Sequence, residues 1–285
     1  MAVTIDLHLH TTASDGRCQP EELVRLAHGL GIRAISVTDH DTREGTSAAR
    51  AAARALSMDF LPGIEITAVH ECKDIHVLAY GLPDDAPALE RLLAEQRQRR
   101  CDRAREIADR LARLDAPIDV DALLAASAQR TGKAIARPQI AEALVAAGHA
   151  SSIADAFDRY LDERAPAYVP HHGASPAEVI ALVSRYGGVA SIAHPGQLKK
   201  DDLVEELAAE GLQCIEAYHS SHDESMQQHY VSLAERLRLA VTGGSDFHGP
   251  ETRRAEFFGR VGLPLSSYER LKTLLDDARV MKAAD

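Results

Sequence analysis

Short apolar runs that end in histidine or a carboxylate recur along the chain, and no other feature constrains the fold as tightly. Val3 to Leu9 leads into His10, and Ile32 to Val37 leads into Thr38-Asp39-His40-Asp41. Phe60 to Ile66 carries Gly63-Ile64-Glu65, and Ile75 to Tyr80 holds His76. Later, Gly188 to Ala193 precedes His194-Pro195-Gly196, and Leu212 to Ala217 precedes Tyr218-His219-Ser220-Ser221-His222. Leu239 to Thr242 precedes Gly243-Gly244-Ser245-Asp246-Phe247-His248. Strand-like runs separated by helix-like segments predict a parallel α/β arrangement. Pro20 with Glu21 and Glu22 opens one such helix, and Gly31 closes it. Polar residues gathered at C-terminal strand ends are how a barrel assembles a site. The expected fold is therefore α/β, a distorted (β/α)7 or (β/α)8 barrel, with a doubly wound open sheet as the alternative.

The middle of the chain reads differently. From about Glu90 to Arg164 it is rich in Ala, Leu, Arg, Asp and Glu at helical spacing, with no convincing strand. This predicts a helical insertion over 101–164, forming a cap, between barrel segments 1–100 and 165–285. No apolar stretch approaches the roughly 20 residues that span a bilayer. The N-terminus lacks the basic start and apolar run of a secretory leader, so a cytoplasmic location is expected. Cys18, Cys72, Cys101 and Cys214 form no Cys-x-x-Cys pair and read as buried thiols. A net charge of −11 argues against an extended nucleic-acid surface. It does not exclude a small phosphorylated ligand, because metal ions reverse the field locally.

His8 and His10 lie two apart on a strand and share a face with Asp6, while Ile5, Leu7 and Leu9 take the other. Paired histidines beside a carboxylate favour a metal site. Thr38-Asp39-His40-Asp41 is also compatible with a polar loop and a helix cap, and His76 with a buried neutral imidazole. The argument rests on repetition at one strand end after another. Imidazole and carboxylate without thiolate suit Mn, Fe or Zn, and so many donors suit two or three ions with shared carboxylates. His28, His70, His149 and His229 show no partner pattern, and His171 and His172 suit either solvent or a pocket rim.

His-x-His, an Asp a few residues on, Thr-Asp-His-Asp, Gly-x-Glu, a lone strand His, Ala-His-Pro and Gly-Ser-Asp-x-His together resemble the polymerase and histidinol phosphatase (PHP) family. The match covers roughly residues 1–100 and 165–250. The resemblance implies a distorted (β/α)7 barrel with a trinuclear site, Mn2+ being the expected metal. It implies that His8, His10, Glu65 and Asp246 hold one ion, and that Glu65 bridges to a second held by His76 and His194. Asp15, His40 and His248 would hold the third. Gly132 to Pro138 resembles a segment of the small members that act on nucleoside 3′,5′-bisphosphates or on short RNA from its 5′ end. On that basis Lys133 and Arg137 are expected to grip a phosphate that is not cleaved.

The expected reaction is metal-assisted hydrolysis of the 3′-phosphate of a nucleoside 3′,5′-bisphosphate, giving a 5′-mononucleotide. His219 or His222 would protonate the leaving oxygen or contact phosphate. A 5′-3′ exoribonuclease on short RNA, a histidinol-phosphatase-like enzyme and a metal-dependent sensor without turnover are the competing readings. The expected partner is a small phosphorylated nucleotide, with short RNA second and no membrane.

Overall fold

The computed structural model describes residues 3–129 and 137–284. Its strands fall into two sheets. In the first, β1 (Ile5–Leu9), β2 (Ala34–Val37) and β3 (Asp59–Phe60) run parallel in that order. In the second, β4 (Gly63–His70), β5 (Lys73–Tyr80), β6 (Val189–Ile192), β7 (Cys214–His219) and β8 (Ala240–Gly244) lie in chain order. The β4–β5 and β5–β6 pairs are antiparallel, and β6–β7 and β7–β8 are parallel.

The expected β/α alternation therefore holds at both ends of the chain and fails in the middle. The run Phe60 to Ile66 is not one strand but two. Pro62 has no amide hydrogen to continue the ladder with β2, and the chain passes there from the first sheet to the second. β5 then returns along β4 after a two-residue turn, Glu71-Cys72, both at positive φ, the conformation that joins twisted antiparallel strands. His76 and Thr67 are register partners within this hairpin, and Glu65 sits two residues further along the same face as Thr67. Both ligand-type residues are thus mid-strand, not strand-end.

Among the described residues the sheets do not merge into one continuous ladder, but each seam carries a bridge. Leu9 pairs with Phe247, and His40 pairs with Glu65. At the first seam the His10 N–H donates to the Phe247 carbonyl (3.0 Å) and the Asp246 N–H to the His8 carbonyl (2.9 Å). Close approach here depends on Gly244, where a Cβ would lie 2.4 Å from the His8 nitrogen. At the other seam the Asp41 N–H donates to the Glu65 carbonyl (2.9 Å).

Helices cover the outer faces. The helix Pro176–Arg185 shows why the chain turns where it does. The Ser175 hydroxyl accepts from the Glu178 N–H, and the Glu178 carboxylate accepts from the Ser175 N–H (2.7 Å), closing a capping box ahead of Pro176. Val179, Ile180 and Val183 pack against β4–β6 in a cluster that includes Ile64, Ile66, Val77 and Ile192. A second cluster gathers Ile5, Leu7, Leu78 and Tyr80, with the Tyr80 hydroxyl donating to the Leu7 carbonyl at 3.0 Å. A separate cluster is drawn wholly from residues 104–169, including Ile107, Leu111, Ile140, Leu144 and Leu161. The helix Pro87–Ala112 spans both regions, with Leu89 and Leu93 in the first core and Ile107 and Leu111 in the other.

Replacing Gly244 by Ala drives a methyl group into β1. The expected cost is ~1–3 kcal/mol, read as a lowered urea midpoint, with the His8 end of β1 losing amide-exchange protection before the Pro176–Arg185 helix does.

Candidate metal centre

On β1 the alternation of a fully buried strand sends Asp6, His8 and His10 to one side and Ile5, Leu7 and Leu9 to the other. The two inward histidines then meet carboxylates from across the fold. His8 Nδ1 lies 2.8 Å from Glu216 and its Nε2 3.1 Å from Glu65. His10 Nε2 lies 3.2 Å from Glu65 and 3.1 Å from Asp246. His40 Nδ1 is 3.3 Å, His76 Nδ1 2.8 Å and His194 Nε2 3.1 Å from the Glu65 carboxylate. Five imidazoles thus surround one buried carboxyl group. Asp15 lies 3.6 Å from His10, 3.9 Å from His40 and 3.2 Å from His248.

The loops are braced so that these groups converge. In Thr38-Asp39-His40-Asp41 only the histidine faces the cage. Asp39 accepts from the Thr11 N–H (2.7 Å), the Thr11 hydroxyl (2.6 Å) and the Ser14 hydroxyl (2.6 Å), fixing the loop that carries Asp15. Asp41 accepts from the Thr67 N–H and hydroxyl, each at 2.8 Å, and pairs with Arg100. Below the cage Asp6 accepts from the Ser245 N–H (2.9 Å) and hydroxyl (2.6 Å), anchoring the loop that presents Asp246. Asp41, His194 and Asp246 all have positive φ, a costly conformation outside glycine that concentrates at functional sites.

Charge sets the protonation of this cluster. Burial works against every ionised form, yet His40, His8 and His76 together hold the Glu65 carboxyl well below the usual range. Burial is likewise opposed by His8 and His219 at Glu216, which comes down to about 2. For His8 burial disfavours the cation, but Glu216 and Glu65 outweigh it and raise the imidazole to about 10. Burial pushes His194 down to about 4 and His40 and His219 down to about 3.

The donor set fits metal ions. Both ring nitrogens of His10 and the Nδ1 atoms of His76 and His194 are buried without a hydrogen-bond partner. Buried nitrogens of that kind are costly unless something else satisfies them. The His10 Nε2 and His76 Nδ1 atoms lie close to carboxylate oxygens, but not aligned for hydrogen bonds. Unpartnered imidazole nitrogens of this kind are the donors a metal ion would use. Donor atoms of His10, Asp15, His40 and His248 lie within 4.8 Å of one another, as do those of His8, His10 and Asp246, of His40, Glu65 and His76, and of His8, Glu216 and His219. The residues expected to bind metal thus lie together, with His194 joined to the rest through Glu65 and absent from these groups.

The other expected residues fare unevenly. His219 is buried in the cage wall, its Nε2 3.1 Å from Asp246 and its Nδ1 accepting the Ser221 N–H at 3.0 Å. His222 donates from Nδ1 to the Ala217 carbonyl (2.9 Å) and accepts the Gly196 N–H at Nε2 (3.1 Å). Both ring nitrogens of His222 are thus committed to backbone, which leaves none for a leaving group or a phosphate. Its place is to hold the His194-Pro195-Gly196 turn. Arg137 donates to the Leu161 carbonyl at 3.3 Å and lies over Phe157 and Tyr168. Lys133 falls outside the described residues.

Some participants were not singled out from the sequence. Glu216 is one, and strand alternation from Cys214 could have placed it inward. Arg100 and Arg254 left no signal, because an arginine in an arginine-rich helix or a late loop looks like any solvated charge.

A family model for the PHP domain matches residues 6–237. The chain belongs to the PHP family. With the donor set, this defines a metal-binding phosphoesterase class. The chain is 35% identical to the "5'-3' exoribonuclease Rnm" of Escherichia coli, over 87% of this chain and 86% of that one. It is 33% identical to the "phosphoribosyl 1,2-cyclic phosphate 1,2-diphosphodiesterase" of Eggerthella lenta, over 90% and 95%. It is 31% identical to the "3',5'-nucleoside bisphosphate phosphatase" of Chromobacterium violaceum, over 86% and 87%. A solved structure from Bifidobacterium adolescentis, assigned as a metal-dependent phosphoesterase, superposes with a TM-score of 0.78 at 32% identity, covering 94% of this chain and 95% of that one. Among the described residues no helix is long and apolar enough to cross a membrane.

With Glu216 and Glu65 outweighing burial and raising His8 to about 10, its imidazole holds a proton at neutral pH that it must lose to become a ligand. Metal affinity should rise with pH up to about 10, and binding should release protons. Calorimetry of Mn2+ binding at pH 7 in two buffers of different ionisation enthalpy checks this, and identical heats would contradict it.

Proposed function

We propose that this protein is a metal-dependent phosphatase that removes the 3′-phosphate of nucleoside 3′,5′-bisphosphates. The observation that carries the phosphoesterase reading is the ring of five imidazoles around Glu65, with buried ring nitrogens that no protein group satisfies. His8, His10, Glu65 and Asp246 would hold one ion. Glu65, His76 and His194 would hold the second, and Asp15, His40 and His248 the third. Mn2+ is the expected occupant, with Fe and Zn as the alternatives for the same ligands. Bound there, the ions supply a strong nucleophile at neutral pH and neutralise phosphoryl charge.

The chain's own groups do the rest. Glu216 orients His8 through the ring nitrogen turned away from Glu65, the support that a metal-ligating imidazole usually receives. His219, brought down to about 3 by burial, is neutral at pH 7 and serves as part of the cage wall rather than as a proton donor.

A second phosphate is favoured by cations on the insertion side. Burial lowers the Arg103 pKa, and the neighbouring Arg137 guanidinium lowers it further. Two guanidiniums near enough to feel one another's charge would suit a dianion, with residues 101–164 as the cap that would bring it over the cage. This supports a mononucleotide carrying two phosphates. The identity to an exoribonuclease over most of the chain favours a second reading, cleavage from the 5′ end of short RNA, in which the same arginines hold the 5′-phosphate.

Three substrates separate the readings: adenosine 3′,5′-bisphosphate, a 5′-phosphorylated oligoribonucleotide, and a phosphoribosyl 1,2-cyclic phosphate. With Mn2+ the bisphosphate should have the highest kcat/KM, and a chelator should abolish turnover. A faster oligonucleotide reaction would replace this reading with the exoribonuclease. Arg137→Ala should raise KM for the bisphosphate by roughly 10- to 100-fold, the scale of one charge-assisted contact, and leave adenosine 3′-monophosphate, which lacks the second phosphate, nearly unaffected.

A further inference from the structure

One cation sits inside the cage and belongs to none of the roles above. Arg254 pairs with the Asp246 carboxylate, and its side chain is only 28% exposed. The oxygen it engages, Oδ2, is also 3.1 Å from His219, while Oδ1 lies 3.1 Å from His10 and 3.5 Å from His8. Beyond Asp246 the guanidinium faces the field of Glu216, Glu65 and Asp15. Arginine cannot give up its charge at physiological pH, so it contributes a fixed positive charge to a pocket of four carboxylates.

The loop that carries it is anchored. The Thr252 hydroxyl donates to the Gly249 carbonyl at 2.8 Å. The Phe258 ring stacks on Phe247 with centroids 4.1 Å apart and planes 12° from parallel. The Arg17 N–H donates to the His248 carbonyl at 2.8 Å. The backbone on either side of Arg254 is thus tied to the end of β8 and to the loop after β1. The Arg254 side chain reaches from this anchored loop to the rim of the cage.

We propose that Arg254 is a phosphate clamp at the rim of the cage. Its guanidinium lies against Asp246, a residue expected to bind metal. When Asp246 serves as a metal ligand, the guanidinium is released to a second anion. The nearest new anion is then the substrate's phosphoryl group at the same rim, which a guanidinium grips through two parallel N–H donors. This inference rests on the phosphoesterase reading and deepens it. Arg254 would compete with the metal at Asp246 and, once displaced, position the phosphate to be cleaved. Its partner is the scissile phosphate, distinct from the one assigned to Arg103 and Arg137.

The test uses the full-length protein with Mn2+ and inorganic phosphate as probes, in Arg254→Ala and Arg254→Lys variants. Wild type should bind phosphate only when loaded with Mn2+. Arg254→Ala should bind Mn2+ as tightly as wild type or more tightly, and bind phosphate at least ~10-fold more weakly when loaded, the scale expected for losing a charge-assisted pair. Arg254→Lys keeps the charge without the fork and should recover part of the phosphate affinity. If wild type binds both probes and Arg254→Ala holds phosphate equally well, the clamp is overturned while the phosphoesterase reading stands. A loss of Mn2+ affinity in Arg254→Ala would also overturn it, since the side chain would then be supporting the metal site. If wild type binds neither probe, both readings fall together.

Discussion

The Glu65 carboxylate, buried among five imidazoles, is the contact on which the rest of the structure depends. It lies third in β4, and its neighbours come from β1, from the loop after β2, from β5 and from the turn after β6. No local segment could assemble that group. It exists because two sheets are brought edge to edge at two seams, and one of those seams is the bridge between His40 and Glu65 itself. A protein that gathers this many ionisable groups away from water must balance their charge. A proton on His8 and the guanidinium of Arg254 contribute to that balance, and metal cations would complete it.

Around this centre the polar groups fall into two kinds. One kind has lone pairs with no protein partner, as at His10, His76 and His194. The other is occupied by backbone groups, hydroxyls or, at Asp41, also Arg100, as at Asp6, Asp39, Asp41 and His222. The first kind is available for chemistry, and the second holds the first in place. Thr38-Asp39-His40-Asp41 contains both kinds within four residues, and only the hydrogen bonds separate them.

Much of this was legible in the sequence, for physical reasons. The two-residue period of a buried strand placed His8 and His10 on one face, and strand-end positions pointed to His194, Asp246 and His248. The outer β/α units were legible from their caps and apolar runs. The hairpin β4–β5 was not, because an apolar run does not encode its direction, and the break at Pro62 lies inside what looks like continuous strand. His222 looked like a proton donor because its two backbone partners, Ala217 in β7 and Gly196 after β6, are not visible as partners in the sequence. Arg254 was invisible for the converse reason: its single meaningful contact spans a loop whose path the sequence does not reveal.

We propose that Glu65 bridges metal ions within this cage. Crystals grown with Mn2+ and measured at the manganese absorption edge test it directly. The account predicts two or three anomalous peaks, two of them within about 2.0–2.3 Å of separate Glu65 oxygens, with histidine nitrogens at similar range. A single peak away from Glu65, or Mn2+ found only at surface carboxylates, would contradict it.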